Sequence, residues 1–444
     1  MGLNPDGHYG VVFCGAGPAS TGILVCASEQ GRLDTLLGRG TCIIEQSSVI
    51  GPGAIGHYPI SANTRGATFL TWLDNAEPRQ AFDAARNAGS THALARFATV
   101  FPRLPLVGEH LASLGDAVRA RVESVPGCSV VTEHSVREVT LLDSGGAAIT
   151  FEPVHGGARI TVTADHAVIA MGARPRADLG QLALLPGLDL HPHEHKLCHA
   201  NALLDERVGL PPRLRRAIAR TREVVVVGGS HSAWSAAWVL IHDRGLRDDR
   251  GRPPRVTVLH RSHLRFFFRS VARARAAGYA FDEISDVCPQ TGLVNRHGGL
   301  RADAHALAWA ATHDGRAAGP VRAISLIDEE GARATAAEAL DRAGAVIAAV
   351  GYEANLPAIT WPDRRPIRLA TTESGLQVTE QARLVSAEGT ELPQLLAFGL
   401  GAGQTATGML AGEPSYRGRL DSVRLYQNEV GGIVLDSLLG SARS

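Results

Sequence analysis

The segment Tyr9-Gly-Val-Val-Phe-Cys-Gly-Ala-Gly-Pro-Ala-Ser20 decides the fold of this chain. Its apolar start predicts a short buried strand, its glycines predict a tight turn, and the apolar run that continues to Ser28 predicts a helix. A second apolar run, Thr41–Ile44, ends in Glu45. Strand, glycine turn, helix and an acidic strand end form the pattern of a dinucleotide-binding βαβ unit. The sequence therefore predicts an α/β fold that begins with a nucleotide cradle.

The small residues of this first cradle have separate physical tasks. Gly15 permits the sharp turn, and Gly17 lets the backbone approach a pyrophosphate, which the free N–H groups at the helix start attract. Glu45 is expected to accept hydrogen bonds from ribose hydroxyl groups. The predicted binding residues of the first cradle are Gly15, Gly17, Pro18, Ala19, Ser20, Glu45 and Gln46.

The same pattern recurs further along the chain, where Glu223–Val227 runs into Gly228-Gly-Ser-His-Ser-Ala233 and a helix-like stretch. The next predicted strand ends in His260-Arg261 rather than in an acid. A carboxylate would repel a 2′-phosphate, whereas an arginine pairs with it, so the sequence predicts NADPH rather than NADH at this second cradle. Arg265 and Arg269 are nearby alternatives for the same role.

Some residues of the second cradle can have either a binding role or a structural role. Ser230 and Ser232 can cap the helix or donate to phosphate. His231 either contacts phosphate or is structural, with equal weight, and Trp234 and Trp238 are expected to pack the helix on its sheet. In the alternative view, the glycines of both cradles serve only tight turns. The predicted NADPH residues are Gly228, Gly229, Ser230, His231, Ser232 and Arg261.

Three further apolar strands that end in glycine suggest how the chain passes between two domains. They cover residues 166–175, 345–357 and 395–403. We predict a discontinuous first domain, residues 1–176 and 346–444, that brackets a second domain, residues 177–345. Residues 421–439 are expected to form a final helix.

Composition narrows the functional classes. The 444 residues contain 44 basic and 44 acidic side chains, and Lys196 is the only lysine, so Schiff-base chemistry has one possible anchor. Zero net charge and the absence of a long apolar run argue against nucleic acid, membrane surfaces and membrane spans. The N-terminus lacks a secretory pattern, which predicts a cytoplasmic protein. Six dispersed cysteines argue against a disulfide framework or a dithiol redox centre.

A cluster of histidines raises the question of a metal site. His191, His193, His195 and His199 could share a face if the segment were a strand. The intervening proline and the loop-like setting favour a surface loop or a segment that gates the substrate. The sequence therefore predicts no metal.

These motifs together resemble the class B flavin-dependent monooxygenases, and most closely their N-hydroxylating branch. The resemblance covers almost the whole chain. It rests on GAGPAS (15–20), Glu45, AMGARP (170–175), GGSHSA (228–233), Arg261, AAVGYEAN (348–355) and AFGLGAG (397–403).

The resemblance implies FAD in the first domain and NADPH in the second, and it adds Gly351, Tyr352 and Gly399 to the cofactor-binding residues. It implies that reduced FAD reacts with dioxygen and forms a C4a-hydroperoxide. This intermediate is expected to oxygenate a small nucleophile, in the first place an amine or amino acid. The glycine-rich segment after Glu45 supplies the catalytic candidates His57 and Asn63, for which an ordinary loop role has equal weight.

Two other functions stay open beside the monooxygenase. One is an NADPH-dependent flavin oxidoreductase that reduces an acceptor or a partner protein without oxygen transfer. The other is a flavoprotein that senses redox state and signals through a partner. Disulfide reduction is set aside because no close cysteine pair is present. The sequence permits a homo-oligomer and identifies neither the substrate nor the atom that is oxidised.

Overall fold

The computed structural model confirms the α/β class. Among the described residues, the strands form a nine-stranded sheet, a five-stranded sheet and four small two-stranded pairs. No described helix is long and apolar enough to cross a membrane. The structure describes residues 3–4, 6–73, 81–185, 187–314, 319–327, 331–372, 375–405 and 408–440.

The first part of the chain contains the first predicted cradle. A strand, a glycine turn and a helix follow one another there as the sequence predicts. The elements are β1 (His8–Cys14), α1 (Pro18–Glu29), α2 (Leu33–Gly38), β2 (Thr41–Ile44), α3 (Gly66–Phe69), α4 (Asp83–Arg86), α5 (Gly89–Ala95), α6 (Leu104–Glu123), β3 (Ser129–Val131), β4 (His134–Leu141), β5 (Ala147–Pro153), β6 (Ile160–Ile169) and β7 (Ala173–Pro175).

The middle of the chain contains the second predicted cradle with the same succession of elements. They are β8 (Ala183–Leu185), β9 (Leu188–Asp189), β10 (Leu197–His199), α7 (Asn201–Leu204), α8 (Pro212–Thr221), β11 (Glu223–Val227), α9 (His231–His242), β12 (Arg255–His260), α10 (Val271–Ala276), α11 (Ala302–Thr312), β13 (Val321–Ser325), α12 (Ala332–Arg342) and β14 (Ala345–Ala348).

The last part of the chain returns to the first sheet. Its elements are β15 (Tyr352–Ala354), β16 (Ala358–Thr360), β17 (Thr371–Thr372), β18 (Gly375–Leu376), β19 (Arg383–Val385), β20 (Glu391–Ala397), β21 (Gln404–Thr405), β22 (Arg419–Leu420), α13 (Val423–Gln427) and α14 (Glu429–Leu439).

The first sheet combines a parallel half with an antiparallel half. Parallel pairs join β3 to β2, β2 to β1, β1 to β6 and β6 to β20. The first half of β6 also pairs with β5, which pairs with β4, in antiparallel hairpins. The last six residues of β1 are buried, as expected for a strand with parallel neighbours on both sides. Val11 and Phe13 pack in a core with helix α1, whereas Tyr9, Val12 and Cys14 belong to a core formed mainly by strands.

The second sheet is parallel throughout, in the order β10-β14-β11-β12-β13. Residues 345–348 belong to this sheet because β14 pairs with β10 and β11. The predicted boundary at 345/346 therefore cuts a strand, and the chain crosses back after Ala348. The crossing itself is the antiparallel pair of β7 and β15, which aligns Pro175 with Tyr352.

The predicted final helix over 421–439 is divided in two. Asn428, with φ −130° and ψ −104°, separates α13 from α14. A Cβ atom on Gly22 would lie 2.7 Å from Cβ of Tyr426, so α1 approaches this segment very closely. The break also lets the carbonyl oxygen of Asn428 accept a hydrogen bond from the thiol of Cys26 at 3.3 Å. Tertiary contact with α1 thus overrides the local helical pattern.

Another contact between the two domains lies away from the crossing. Residues 265–298 of the inserted domain contact residues 411–416 of the first domain. Glu413, which is buried, accepts hydrogen bonds from the backbone N–H groups of His297 at 3.0 Å and Gly298 at 2.8 Å. Because a buried carboxylate without partners is costly, these bonds fix the two segments together.

Candidate active site

A cavity of about 450 Å³ lies between the first cradle and the inserted domain. It gathers many of the predicted residues at the carboxyl ends of the parallel strands, where open α/β sheets bind ligands. Ser20, His57, Gly351 and the second cradle do not line it. The predicted residues that line it are Gly15, Gly17, Pro18, Ala19, Glu45, Gln46, Asn63, Tyr352 and Gly399.

The two glycines of the first cradle differ in what they permit. Gly15 has φ +99°, and a Cβ atom there would lie 2.5 Å from the carbonyl oxygen of Ala170, so this glycine is required by the backbone itself. A Cβ atom on Gly17 would meet nothing closer than 3.9 Å. The space beside Gly17 is therefore open, as close approach of a pyrophosphate requires. Ser20 is buried and donates to the carbonyl oxygen of Gly15 at 2.6 Å, which supports the turn rather than the cavity.

Glu45 is held in place by the backbone. Its carboxylate accepts hydrogen bonds from N–H of Ala16 at 2.6 Å and N–H of Ser47 at 2.9 Å. Burial raises the pKa of Glu45 above its ordinary value, although these hydrogen bonds oppose the shift. The carboxylate lines the cavity and can accept further hydrogen bonds, so the residue fits the predicted role of a ribose acceptor.

An ion pair that was not predicted forms part of the cavity wall on the side of the inserted domain. Asp205 is buried and accepts from Nε of Arg207 at 2.9 Å and from its Nη2 at 2.6 Å. Burial alone would raise the pKa of Asp205, but the hydrogen bonds from Arg207 lower it overall. Tyr58 and Tyr352 line the cavity as well, and burial raises the pKa of both phenols.

His199 fixes the strand crossing beside the cavity. Its Nδ1 accepts a hydrogen bond from N–H of Asn201 at 3.1 Å, so its Nε2 carries the proton that is donated to the carbonyl oxygen of Gly351 at 3.1 Å. The imidazole also meets the ring of Tyr352 edge-on, with centroids 4.9 Å apart. Burial lowers the pKa of His199, which keeps this tautomer neutral.

The catalytic candidates occupy different positions. Asn63 lines the cavity, and its carbonyl oxygen accepts a hydrogen bond from Arg301 at 3.4 Å. His57 ends a short 3₁₀ helix, Ile55–His57, and its carbonyl oxygen accepts from N–H of Glu206 at 3.1 Å. The neighbouring residue, Tyr58, lines the cavity where His57 does not. The roles of His57 and Asn63 stay predictions.

Asp421 lines the cavity two residues before the short helix α13. The hydroxyl of Ser422 accepts from N–H of Leu425 at 3.3 Å and caps that helix. Enclosure by the protein raises the pKa of the Asp421 carboxyl to about 6.

The second cradle has the backbone geometry of the first but a more open surface. A Cβ atom on Gly228, where φ is +133°, would lie 2.5 Å from the carbonyl oxygen of Ala349. Ser230 is exposed and makes no side-chain cap of α9, so its hydroxyl is available to a ligand. Burial lowers the pKa of His231 to about 4, with smaller contributions from the basic groups Arg301 and His305. The imidazole is therefore neutral at pH 7.

The predicted arginines are not equivalent. Arg261 follows β12 and is exposed, and within the described residues it forms no ion pair. Arg269 is also exposed. Arg265 instead donates from Nη1 to the carbonyl oxygen of Ser415 at 3.1 Å and thus belongs to the contact between domains.

The lysine and the tryptophans have structural positions. Lys196 is buried and donates to the carbonyl oxygens of Leu340 at 2.7 Å and Asp341 at 3.0 Å near the end of α12. Trp234 is fully buried in the core of the inserted domain, as expected. Trp238 is only partly buried, and the guanidinium of Arg103 lies 4.8 Å from its ring centroid.

The histidine cluster does not lie on a strand. Residues His191–Lys196 form a 3₁₀ helix, and only His199 belongs to β10. Where the chain is described, no group of three or more His, Cys, Asp or Glu side chains is arranged to hold a metal ion. All six cysteines are free, and none of them lines the cavity.

Sequence reasoning missed Tyr58, Asp205, Arg207 and Arg301. Tyr58 directly follows His57 in a segment that the sequence had already indicated. Asp205 and Arg207 carry a weak signal, an acid and an arginine two positions apart directly after the apolar stretch 202–204. Arg301 follows an irregular segment and has no local signal.

Comparison with known proteins places the chain among nucleotide-dependent oxidoreductases. The family model described as pyridine nucleotide-disulphide oxidoreductase matches residues 9–279. Over 442 residues the chain is 33% identical to the CMP-5'-(3-aminopropyl)phosphonate hydroxylase of Streptomyces rubellomurinus (strain ATCC 31215), covering 98% of this chain and 99% of that protein.

Two solved structures share the fold over nearly the whole chain. One is the FAD-bound cadaverine monooxygenase of desferrioxamine biosynthesis from Erwinia amylovora, with 13% identity, a TM-score of 0.59, and 97% of this chain and 94% of that one covered. The other is the ornithine N-hydroxylase of Kutzneria sp. 744, with 14% identity, a TM-score of 0.55, and coverage of 97% and 99%. They confirm the predicted two-domain architecture.

Proposed function

The chain belongs to the pyridine nucleotide-disulphide oxidoreductase family, and we propose that it is an FAD- and NADPH-dependent monooxygenase that N-hydroxylates a primary amine. The hydroxylase of Streptomyces rubellomurinus, whose name gives a CMP-linked aminopropylphosphonate as substrate, supports this proposal because the similarity extends over almost the whole of both proteins. We take the same kind of molecule, an alkylamine joined to a nucleotide through phosphorus, as the substrate class.

The cavity carries this proposal. It joins the first cradle to Asn63 and Tyr352 and contains no cysteine in its wall. A member of this family that passes electrons to a disulfide requires a cysteine pair beside the flavin, and this chain has none there. Reduction of a disulfide is thus disfavoured, while a small acceptor can enter.

The first cradle fits FAD in its chemistry. The open space beside Gly17 and the N-terminus of α1 suit a pyrophosphate, and the fixed carboxylate of Glu45 suits a ribose. When bound, FAD supplies the redox and oxygen chemistry, and the protein supplies orientation and exclusion of water. The second cradle would hold the NADPH pyrophosphate at Ser230 and the start of α9, with Arg261 on the 2′-phosphate.

The wall of the cavity also suits an amine substrate. An amine attacks only when it is unprotonated, and a site that removes it from water lowers its pKa. Aromatic and apolar side chains supply that environment. Those that line the cavity include Tyr58, Phe69, Leu104, Tyr352 and Leu400.

The proposed domain limits follow the sheets. We assign residues 1–176 and the return segment to the FAD domain and the intervening residues to the NADPH domain, with the crossing after Ala348. Six free cysteines and a need for NADPH favour the cytoplasm as the location.

A panel of amines tests the proposal. Purified protein loaded with FAD is supplied with NADPH and oxygen, and both are followed while CMP-5'-(3-aminopropyl)phosphonate, cadaverine, ornithine and propylamine are added in turn. We expect the CMP-linked amine to give equal consumption of NADPH and oxygen together with a hydroxylamine product. NADPH oxidation that no amine accelerates, with electrons recovered in an added acceptor, would instead support the oxidoreductase alternative.

A further inference from the structure

Arg301 connects the two domains through Asn63, a residue that lines the cavity. It precedes α11 in the inserted domain, and its Nη1 donates to the carbonyl oxygen of Asn63 in the first domain at 3.4 Å. Its Nη2 donates to the carbonyl oxygen of Arg296, and its guanidinium carbon lies 3.9 Å from the ring centroid of Phe267. Two carbonyl oxygens and an aromatic face thus fix the orientation of this side chain.

The guanidinium has no acidic partner. Within the described residues, no carboxylate lies within ion-pair distance of Arg301, and Glu413, the acid that influences it electrostatically, is bonded to the backbone of His297 and Gly298. Burial lowers the pKa of Arg301 to about 10, and the positive charge of Arg296 acts in the same direction. A partly buried cation that has no direct ion pair is costly, which indicates that a ligand supplies a negative charge at this position.

The surroundings indicate which negative charge would fit. Helix α11, which Arg301 precedes, packs against α9, the helix that starts at His231 of the second cradle. The positive charge of Arg301 contributes to the lowered pKa of His231. Asn63, which Arg301 contacts in the first domain, lines the cavity. Arg301 therefore lies between the predicted pyrophosphate cradle and the predicted site of reaction. A guanidinium binds phosphoryl oxygens in a bidentate manner, better than a lysine would.

We propose that Arg301 binds a phosphoryl group that lies between the second cradle and the cavity. This inference rests on the proposed function, because both sources of the phosphoryl group come from it: the pyrophosphate of NADPH, or the phosphorus-linked nucleotide of the substrate. Either source places one negatively charged ligand across both domains, with Asn63 as the neighbour on the cavity side.

Binding titrations on the oxidised FAD-loaded protein test the proposal without relying on turnover. NADP⁺ and CMP-5'-(3-aminopropyl)phosphonate are titrated separately, and the change in flavin absorbance gives each Kd. Arg301→Gln should weaken one of the two ligands by about 10- to 100-fold and change the other by less than about threefold, which identifies the source. The exposed Arg273 on α10 provides the matched control, since Arg273→Gln should change neither Kd.

A loss of fold must be separated from a loss of binding. The melting temperature and FAD content of Arg301→Gln are measured, and Arg301→Lys, which retains the charge without the bidentate geometry, should give an intermediate Kd. Unchanged affinities for both ligands, or equal weakening of both in either variant, would overturn the proposal. If the wild-type protein hydroxylates no amine, the proposed function fails, but the NADP⁺ titration still decides the role of Arg301.

Discussion

The two cradles share one pattern of strand, glycines and helix, yet they differ in enclosure. In the first, Ser20 is buried against the turn, and Gly17 and Glu45 face a cavity closed in part by the inserted domain. In the second, Ser230 and Arg261 are exposed. The same local sequence pattern therefore produces one enclosed site and one open site.

This difference corresponds to two kinds of nucleotide binding. An enclosed site with a fixed carboxylate suits a cofactor that stays bound through many reaction cycles. An open site, bordered by an exposed arginine, suits a nucleotide that binds and leaves in each cycle. From this difference in exposure we expect FAD to stay bound at the first cradle and NADPH to exchange at the second.

The largest effect should come from Gly17→Leu, which fills the open space of the first cradle. Because a Cβ atom there meets nothing closer than 3.9 Å, the protein should fold with the melting temperature of the FAD-free wild type. Its affinity for FAD should fall by more than about 100-fold, visible as colourless protein. Full retention of yellow colour would show that FAD lies elsewhere.

Gly15→Ala is the matched control for this prediction. Its positive φ and the 2.5 Å approach to the carbonyl oxygen of Ala170 predict strain, so it should lower the free energy of unfolding of the FAD-free protein. A cost of roughly 1–3 kcal/mol is expected, measured by chemical denaturation.

Glu45→Gln should have the next largest effect. The amide retains one acceptor but presents an N–H₂ group to one of the two backbone donors, Ala16 or Ser47, that now orient the carboxylate. We expect FAD to bind about tenfold more weakly, by titration of the FAD-free protein. Glu109→Gln, an exposed acid on α6, should leave the affinity unchanged. Equal affinity in Glu45→Gln and wild type would contradict the ribose assignment.

Arg261→Ala sharpens the comparison at the open cradle. The exposed guanidinium interacts with a 2′-phosphate in the presence of solvent, so its loss should raise the KM for NADPH by about tenfold and leave the KM for NADH within about twofold. Rates of flavin reduction at varied NADPH and NADH give both values. If both KM values rise equally, Arg261 does not bind the 2′-phosphate.

His231→Gln should have the smallest effect on the nucleotide. The imidazole is neutral at pH 7 because its pKa is lowered to about 4, so the Kd for NADPH should change by less than about threefold. A group with a lowered folded pKa contributes stability above pH 6.5 that is lost as the pH falls toward 4. The melting temperature should therefore fall less between pH 7 and pH 5 in His231→Gln than in wild type; equal falls would contradict the neutral assignment.

The sequence predicts those features of the fold and the site that depend on residues close to one another in the chain. Gly15, Gly17 and Glu45 lie within one βαβ unit, so their spacing alone indicated their position. Arg301 meets Asn63 across the domain boundary, and no local pattern reports that contact. The break at Asn428 likewise depends on the approach of α1, which a helical pattern does not contain.

The boundary after β14 and the position of Tyr58 illustrate the same limit. The sequence of residues 345–348 predicts that the chain leaves the second domain near this segment. In the structure these residues complete the second sheet by pairing with β10 and β11. Tyr58, rather than His57, faces the cavity because the short 3₁₀ helix turns the chain at that point. The sequence of an irregular segment does not predict which of two adjacent residues lines a cavity.

Isotope labelling tests the central claim of an oxygen-transferring N-hydroxylase most directly. The FAD-loaded protein is incubated with NADPH, CMP-5'-(3-aminopropyl)phosphonate and ¹⁸O₂, and the product is examined by mass spectrometry. We predict a hydroxylamine that carries one ¹⁸O atom, formed in proportion to the NADPH consumed and absent without NADPH. NADPH oxidation with the amine recovered unchanged, or a product whose oxygen comes from water, would contradict the account.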